Sequence, residues 1–102
     1  MVKLRVKEAK SLKDRVIGLI GKDKPFSLIL RTHFGIHTFG LKFPIDVLVL
    51  DNEGKVMAIS NNLKPNRIFL WNPLYEKVVE LPSGTIKTKG ISVNSKIEVK
   101  LI

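Results

Sequence analysis

Apolar and polar residues alternate at both ends of the chain, and this alternation predicts a strand at each end. Apolar residues alternate with basic ones over Val2 to Lys7, and with charged ones over Lys96 to Ile102. Because successive side chains of a strand point to opposite faces, each segment is predicted to bury one face and expose a basic one. Since the termini of small domains usually lie close together, we expect neighbouring strands with outward lysines and with Val99 and Leu101 buried.

The middle of the chain also favours short strands. Ile45 to Leu50 and Lys55 to Ile59 flank Asp51-Asn52-Glu53-Gly54, a sequence typical of a hairpin turn with glycine at its left-handed position. Shorter apolar runs predict further strands at Phe26 to Leu30, Ile68 to Trp71 and Lys77 to Leu81. Glycine and polar residues predict a turn at Thr32 to Ile36 and a loop at Ser60 to Arg67.

Helical spacing appears in one segment. Ser11 and Asp14 form a capping pair before apolar residues at helical spacing, and Gly21 is placed to end that helix. A short helical turn is predicted after Pro82, ending at Gly90. The fold class is therefore mainly β (α+β). We expect a small antiparallel β-barrel, closed or half-closed, of six or seven short strands with one N-terminal helix and a short C-terminal helical turn.

Composition narrows the class of protein. At 102 residues, the chain is expected to form a single domain over 1–102. Cysteine is absent, which excludes disulfides and thiolate chemistry. No apolar run approaches the roughly 20 residues needed to span a bilayer, and no signal-peptide pattern is found. These features favour a soluble, cytoplasmic protein without a membrane partner. The oligomeric state is not fixed by the sequence, and a monomer is the default.

The chain is basic, with 18 Lys and Arg against nine Asp and Glu and a net charge of +9. A basic surface attracts phosphates and other anions. Lysine-rich faces that are simply solvated explain the same charge, and abundant lysine without glutamine or cysteine also suits a protein from a thermophile. Nucleic acid is therefore expected to bind weakly and without sequence preference, if it binds at all.

Asp46 is the most informative polar residue. It precedes four aliphatic residues, and alternation places it on the same face as Leu48 and Leu50. Because a charge on an apolar face costs roughly several kcal/mol unless it is paired, we expect Asp46 to be held by backbone amides or an arginine, with Arg15 as the preferred arginine. Glu80 has a similar setting, so a structural network and a two-carboxylate ligand site remain alternatives.

His37 and Thr38 are candidates for ligand contact beside Asp46. A histidine that titrates near pH 6.5, roughly, suits proton transfer, and a structural role in the turn is the alternative. His33 and His37 have helical metal-ligand spacing, but their segment is not expected to be helical. We therefore expect no tightly bound metal and no cofactor.

Three ordered motifs resemble domain of unknown function family 192, the uncharacterised ancient conserved region. They are Arg15-Val16-Ile17-Gly18-Leu19-Ile20, Phe43-Pro44-Ile45-Asp46 and the segment from Glu80 to Thr85. The resemblance spans nearly the whole chain and places Arg15, Asp46 and Glu80 on matched family positions. Many relatives carry Trp-Met-Lys-Asn where this chain has His37 to Lys42. The resemblance implies a site around these positions without an assigned activity.

Three functions fit these observations. The first is a small binding domain for an anionic or polar ligand, with a pocket around His37, Thr38 and Asp46 and with Arg15 and Glu80 behind. The second is a small hydrolase-like enzyme with Asp46 or Glu80 as base and His37 as proton carrier. The third is a weak nucleic-acid binder that uses the basic faces of the terminal strands. No aromatic residue lies in either strand to stack on bases.

Overall fold

The protein is built around one curled sheet. A computed structural model describes residues 1–10, 27–33 and 35–102. In these ranges the chain forms eight strands and one helix: β1 (Val2–Ala9), β2 (Leu28–Arg31), β3 (Gly35–His37), β4 (Ile45–Leu50), β5 (Val56–Leu63), β6 (Ile68–Leu70), β7 (Lys77–Pro82), α1 (Thr85–Lys89) and β8 (Ile97–Leu101). Six strands form the sheet in the order β5-β4-β7-β2-β1-β8, and β3 and β6 form a separate two-stranded ribbon.

Apolar side chains cover both faces of this sheet. A first cluster, the inner core, contains residues from both sheet edges, so the sheet curls around it; its members include Leu4, Val6, Leu48, Leu50, Val56, Val79, Leu81, Ile86 and Ile97. A second cluster, the outer core, lies on the opposite face beneath the β3–β6 ribbon and includes Leu28, Leu30, Ile36, Ile45, Val47 and Val78. Strand β4 is buried at every position, which explains its continuous apolar run.

The two terminal strands are neighbours, as their alternation predicts. β1 pairs with β8 in parallel, with Lys3 opposite Glu98 and Arg5 opposite Lys100, and the four side chains are exposed. The expected burial of Leu101 is wrong, because its side chain is 54% exposed. Leu101 is the last residue of a strand at the edge of the sheet, where no further strand covers it.

The closed antiparallel barrel is not found. Both neighbours of β1 are parallel to it. The edge strands β5 and β8 approach each other at their first residues, beside the bridge between Lys55 and Lys96, where the Val56 amide donates to the Ser95 carbonyl and the Ile97 amide donates to the Gly54 carbonyl. They run in opposite directions from that bridge, so they separate instead of forming a ladder. Alternation predicts which face a residue occupies, but it does not predict the direction of a neighbouring strand.

One predicted turn contains a strand, which is why the described residues hold eight strands and not six or seven, and one predicted loop continues a predicted strand. The expected turn at Thr32 to Ile36 contains the start of β3, and β5 continues into the expected polar loop as far as Leu63. Pairing with a neighbour overrides the weak strand preference of these polar segments. The predicted N-terminal helix, with Ser11 and Gly21, lies outside the described residues.

The C-terminal helical turn is confirmed. Helix α1 ends at Gly90, which has the left-handed φ of 64° that the sequence predicts for a glycine cap. The Gly90 amide donates to the Lys87 carbonyl, and the Ile91 amide donates to the Ile86 carbonyl at 2.9 Å. Ile86 belongs to the inner core, so this short helix covers one end of the curled sheet.

The hairpin between β4 and β5 is also confirmed, and Asp51 organises its turn. Its Oδ1 accepts the amides of Glu53 at 2.8 Å and Lys55 at 2.9 Å. The Lys55 amide is the main reason why the pKa of Asp51 is lowered from its ordinary value, with the Glu53 amide and nearby lysines adding to it. Gly54 closes the turn with a φ of +83° and lies against the Ile97 carbonyl.

We predict that Gly54→Ala destabilises the protein more than Gly84→Ala. Both glycines have positive φ, but a Cβ at Gly54 would lie 2.5 Å from the Ile97 oxygen, whereas nothing lies within 4 Å of one at Gly84. Left-handed backbone alone costs alanine about 1–2 kcal/mol. Urea unfolding is therefore expected to show a free energy of unfolding that is lower by about 1–2 kcal/mol in Gly84→Ala and by about 3 kcal/mol in Gly54→Ala. Equal losses would mean that contact with Ile97 does not matter.

Candidate functional site

Asp46 is an acceptor for backbone amides from two separate parts of the chain. Its Oδ1 accepts the Asn62 amide at 2.9 Å, and its Oδ2 accepts the amides of Gly84 at 3.0 Å and Ile86 at 2.9 Å. Asn62 and Gly84 both have positive φ, of 51° and 95°. The Asp46 carboxylate therefore joins the end of β5 to the turn before α1.

This arrangement makes Asp46 a structural anchor. Its side chain is 1% exposed, and both oxygens are occupied by the three amides. The expectation that backbone amides hold it is confirmed, while Arg15 lies outside the described residues. A second link reinforces the same junction, because the Ser83 hydroxyl donates to Asn62 Oδ1 at 2.8 Å. A carboxylate used in this way is poorly placed to act as a general base.

Thr38 is a second buried anchor. Its hydroxyl donates to the Lys64 carbonyl at 2.6 Å and accepts the Arg67 amide at 2.9 Å. The Thr38 backbone adds two bonds to the same loop, donating to the Arg67 carbonyl and accepting the Asn66 amide. Thr38 is fully buried, so its side chain fixes the connection between β5 and β6.

The His37 side chain is solvent-exposed and lies on the exposed face of the β3–β6 ribbon. It is opposite Ile68 in the β3–β6 register, its Nδ1 accepts the Phe39 amide at 3.2 Å, and its ring stacks on Phe39 with 5.1 Å between centroids. His33 has other partners: its Nδ1 lies 2.8 Å from the Pro73 carbonyl and its Nε2 lies 3.0 Å from Glu76. Within residues 1–10, 27–33 and 35–102, no three His, Asp or Glu side chains are grouped to hold a metal.

Glu80 does not share a pocket with Asp46. In the pairing of β4 with β7, Glu80 is opposite Val47 and Asp46 is opposite Leu81. Paired residues of neighbouring strands share a face, and adjacent residues of one strand do not. Asp46 therefore lies on the inner face and Glu80 on the outer face, where it is fully buried. The expected two-carboxylate site is not formed, because the sheet separates the two groups.

The structure contains a cavity that sequence reasoning missed. We call it the mouth cavity, because it lies at the open end of the curled sheet, away from α1. Its volume is about 580 Å³, and its lining includes Ile29, Leu50, Ile97, Val99 and Leu101 with the charged residues Glu8, Lys10, Arg31, Glu53 and Lys77. These residues come from separate strands and the β4–β5 turn, so no local motif could reveal it. The exposed side chain of Leu101 marks the position of the mouth cavity.

Comparison with known proteins identifies the family and supports the fold. The model of the DUF192 family, described as uncharacterized ACR, matches residues 2–99. No curated protein matches the chain. In the described part of the chain, no helix is long and apolar enough to cross a membrane.

Two solved structures are similar to this one. A protein of unknown function from Novosphingobium aromaticivorans DSM 12444 has a TM-score of 0.77 and 17% identity, with 89% of this chain and 71% of that chain covered. A protein from Sinorhizobium meliloti 1021, described as a "putative transcription regulator", has a TM-score of 0.78 and 22% identity, with 89% and 78% covered. At these identities the likeness shows the shared fold.

We predict that Asp46→Ala lowers stability strongly. The change leaves three backbone amides without their acceptor, two of them from the turn and helix that cover the inner core. Leaving buried donors unsatisfied is expected to cost about 3 kcal/mol in urea unfolding. Asp51→Ala is the matched control, because Asp51 also accepts two amides but lies in an exposed turn. The loss in the free energy of unfolding should be clearly smaller for Asp51→Ala than for Asp46→Ala. An unchanged or raised melting temperature for Asp46→Ala would show that Asp46 is not an anchor.

Proposed function

This chain belongs to the DUF192 family, and we propose that it is a small ligand-binding domain whose ligand occupies the mouth cavity. The observation that carries the proposal is the cavity itself, of about 580 Å³ with an apolar lining and charged residues at its rim. Small-molecule sites are typically concave, of roughly 300–1,000 Å³, mostly apolar and equipped with a few polar groups. The mouth cavity has each of these properties.

The apolar lining supports a ligand with an apolar body. Ile97 is buried and Val99 is half-buried, while Leu101 is more than half exposed. A ligand that covers Val99 and Leu101 removes apolar surface from water, which stabilises a complex by about 25 cal/mol for each Å². Such a ligand would cover a leucine that is otherwise exposed at the end of an edge strand.

The rim favours an anionic or polar head group. Three cations line the cavity, namely Lys10, Arg31 and Lys77, against the two acids Glu8 and Glu53. Arg31 is partly neutralised, because its Nη1 lies 3.1 Å from Glu76, but its side chain remains 64% exposed. Lys77 Nζ reaches only the Asn52 carbonyl, at 3.5 Å. Both cations can therefore turn a donor toward a bound carboxylate, sulfonate or phosphate.

The geometry favours a binding function over a hydrolytic one. It also favours the mouth cavity over the segment around His37 as the binding site. A hydrolase with Asp46 or Glu80 as base and His37 as proton carrier needs an accessible carboxylate, whereas Asp46 is engaged by three backbone amides and Glu80 is fully buried. A pocket around Thr38 and Asp46 needs free polar atoms, and both side chains are engaged by backbone groups. The proposal takes the protein as cytoplasmic, as its composition favours, and as a monomer by default.

The proposal is tested with 8-anilinonaphthalene-1-sulfonate, a probe with an apolar body and one anionic group. The wild-type protein is expected to bind one probe saturably, with enhanced fluorescence. Leu101→Asp places a carboxylate in the mouth and should weaken binding at least tenfold. Val93→Asp is the matched control, because Val93 is 50% exposed and Leu101 is 54% exposed, and Val93 does not line the cavity.

Two outcomes would contradict the mouth cavity as the site. One is wild-type protein that shows no saturable binding of the probe. The other is an equal loss of affinity in Leu101→Asp and Val93→Asp, since that would make the effect one of net charge alone. Circular dichroism of each variant checks that the fold is kept.

A further inference from the structure

A second concave region, which we call the basic cleft, lies at the other end of β1. Its volume is about 820 Å³, and its lining includes Lys3, Arg5, Lys89, Lys100, Glu98 and Thr85. The mouth cavity is lined by Glu8 and Ala9 of the same strand and by Lys10 directly after it, and it shares Val99 of β8 with the cleft. Residues of a strand rise about 3.3 Å each, so the β1 residues Arg5 and Ala9 at the two sites are roughly 13 Å apart.

The charge of the basic cleft is strongly unbalanced. In the part of the chain that the structure describes, four cationic side chains line it against a single acid, Glu98. Glu98 lies 3.9 Å from Lys3, and both side chains are more than half exposed, so this pair is weak. In the described part of the chain, no carboxylate forms an ion pair with Arg5, Lys89 or Lys100. A cleft with this charge concentrates anions.

The pairing of β1 with β8 supplies an independent observation. Arg5 is directly opposite Lys100, whereas the neighbouring pair is Lys3 opposite Glu98, with opposite charges. Like charges placed directly opposite each other destabilise a sheet. Since both side chains also line the cleft, an anion bound between them would turn this repulsion into two attractive contacts.

We propose that the basic cleft binds the phosphate or diphosphate group of a small molecule. The Arg5 guanidinium has the planar fork that matches phosphate oxygens, while Lys89 and Lys100 act as point charges from the helix and the edge strand. Among the described residues no aromatic side chain lines the cleft, so this part of the chain offers the bases of a nucleic-acid strand no platform. The inference does not depend on the mouth cavity.

Isothermal titration with inorganic pyrophosphate tests the site. The wild-type protein is expected to bind one pyrophosphate, and Lys100→Glu should weaken binding at least tenfold because it places an acid opposite Arg5. Lys64→Glu is the matched control, because it makes the same charge change at an exposed position outside the cleft. It should retain affinity within a factor of two. Equal losses in the two variants would show that net charge alone attracts the anion.

The ligand class is tested with an oligothymidylate of ten nucleotides at the same salt concentration. Tighter binding of this strand than of pyrophosphate, lost in Lys100→Glu, would overturn the small-molecule assignment in favour of nucleic acid. Absence of wild-type binding to pyrophosphate would overturn the site itself.

Thermal melts give a readout that does not need a titration. Without ligand, Lys100→Glu is expected to melt at a higher temperature than the wild type, because a like-charge pair across β1 and β8 becomes an opposite-charge pair. Pyrophosphate should raise the melting temperature of the wild type and leave that of Lys100→Glu unchanged. A ligand-free Lys100→Glu that melts lower than the wild type would contradict the repulsion on which the inference rests.

Discussion

The Asp46 carboxylate holds together the part of the fold on which the rest depends. Its three amide donors come from the end of β5 and from the turn that leads into α1. One of those donors, Asn62, has a positive φ of 51°, so the carboxylate stabilises a backbone conformation that residues other than glycine rarely adopt. By fixing that turn, Asp46 places Ile86 over the inner core. One end of the curled sheet is thereby closed, and the mouth cavity is left at the other.

The two-sided burial of the sheet decides which chemistry the protein can perform. Strands β4 and β7 are buried on both faces, and their register places Asp46 and Glu80 on opposite faces. Each acid is therefore separated from the other by the backbone of the sheet. Chemistry in which Asp46 and Glu80 cooperate has no support in this arrangement, whereas the proposed ligands would bind in the cavities at the ends of the sheet.

Features that depend on one strand or one turn could be predicted from the sequence, and features that depend on several strands could not. Alternation located β1 and β8, Gly90 located the end of α1, and the apolar setting of Asp46 showed that it needs donors. The parallel pairing of β1, the faces of Glu80 and Asp46 and the mouth cavity depend on which strands become neighbours. Residues from separate strands meet there only after folding.

Incomplete closure of the sheet is the reason why both proposed sites exist. Strands β5 and β8 approach each other at their first residues, beside the bridge between Lys55 and Lys96, and from that bridge they run apart. A full ladder between them would cover Leu101 and fill the mouth, whereas the observed sheet leaves this leucine exposed. The same edge strand carries Lys100 beside Arg5. Leu101 of β8 thus lines the mouth cavity, Lys100 lines the basic cleft, and Val99 lines both, so this edge strand contributes to both proposed sites.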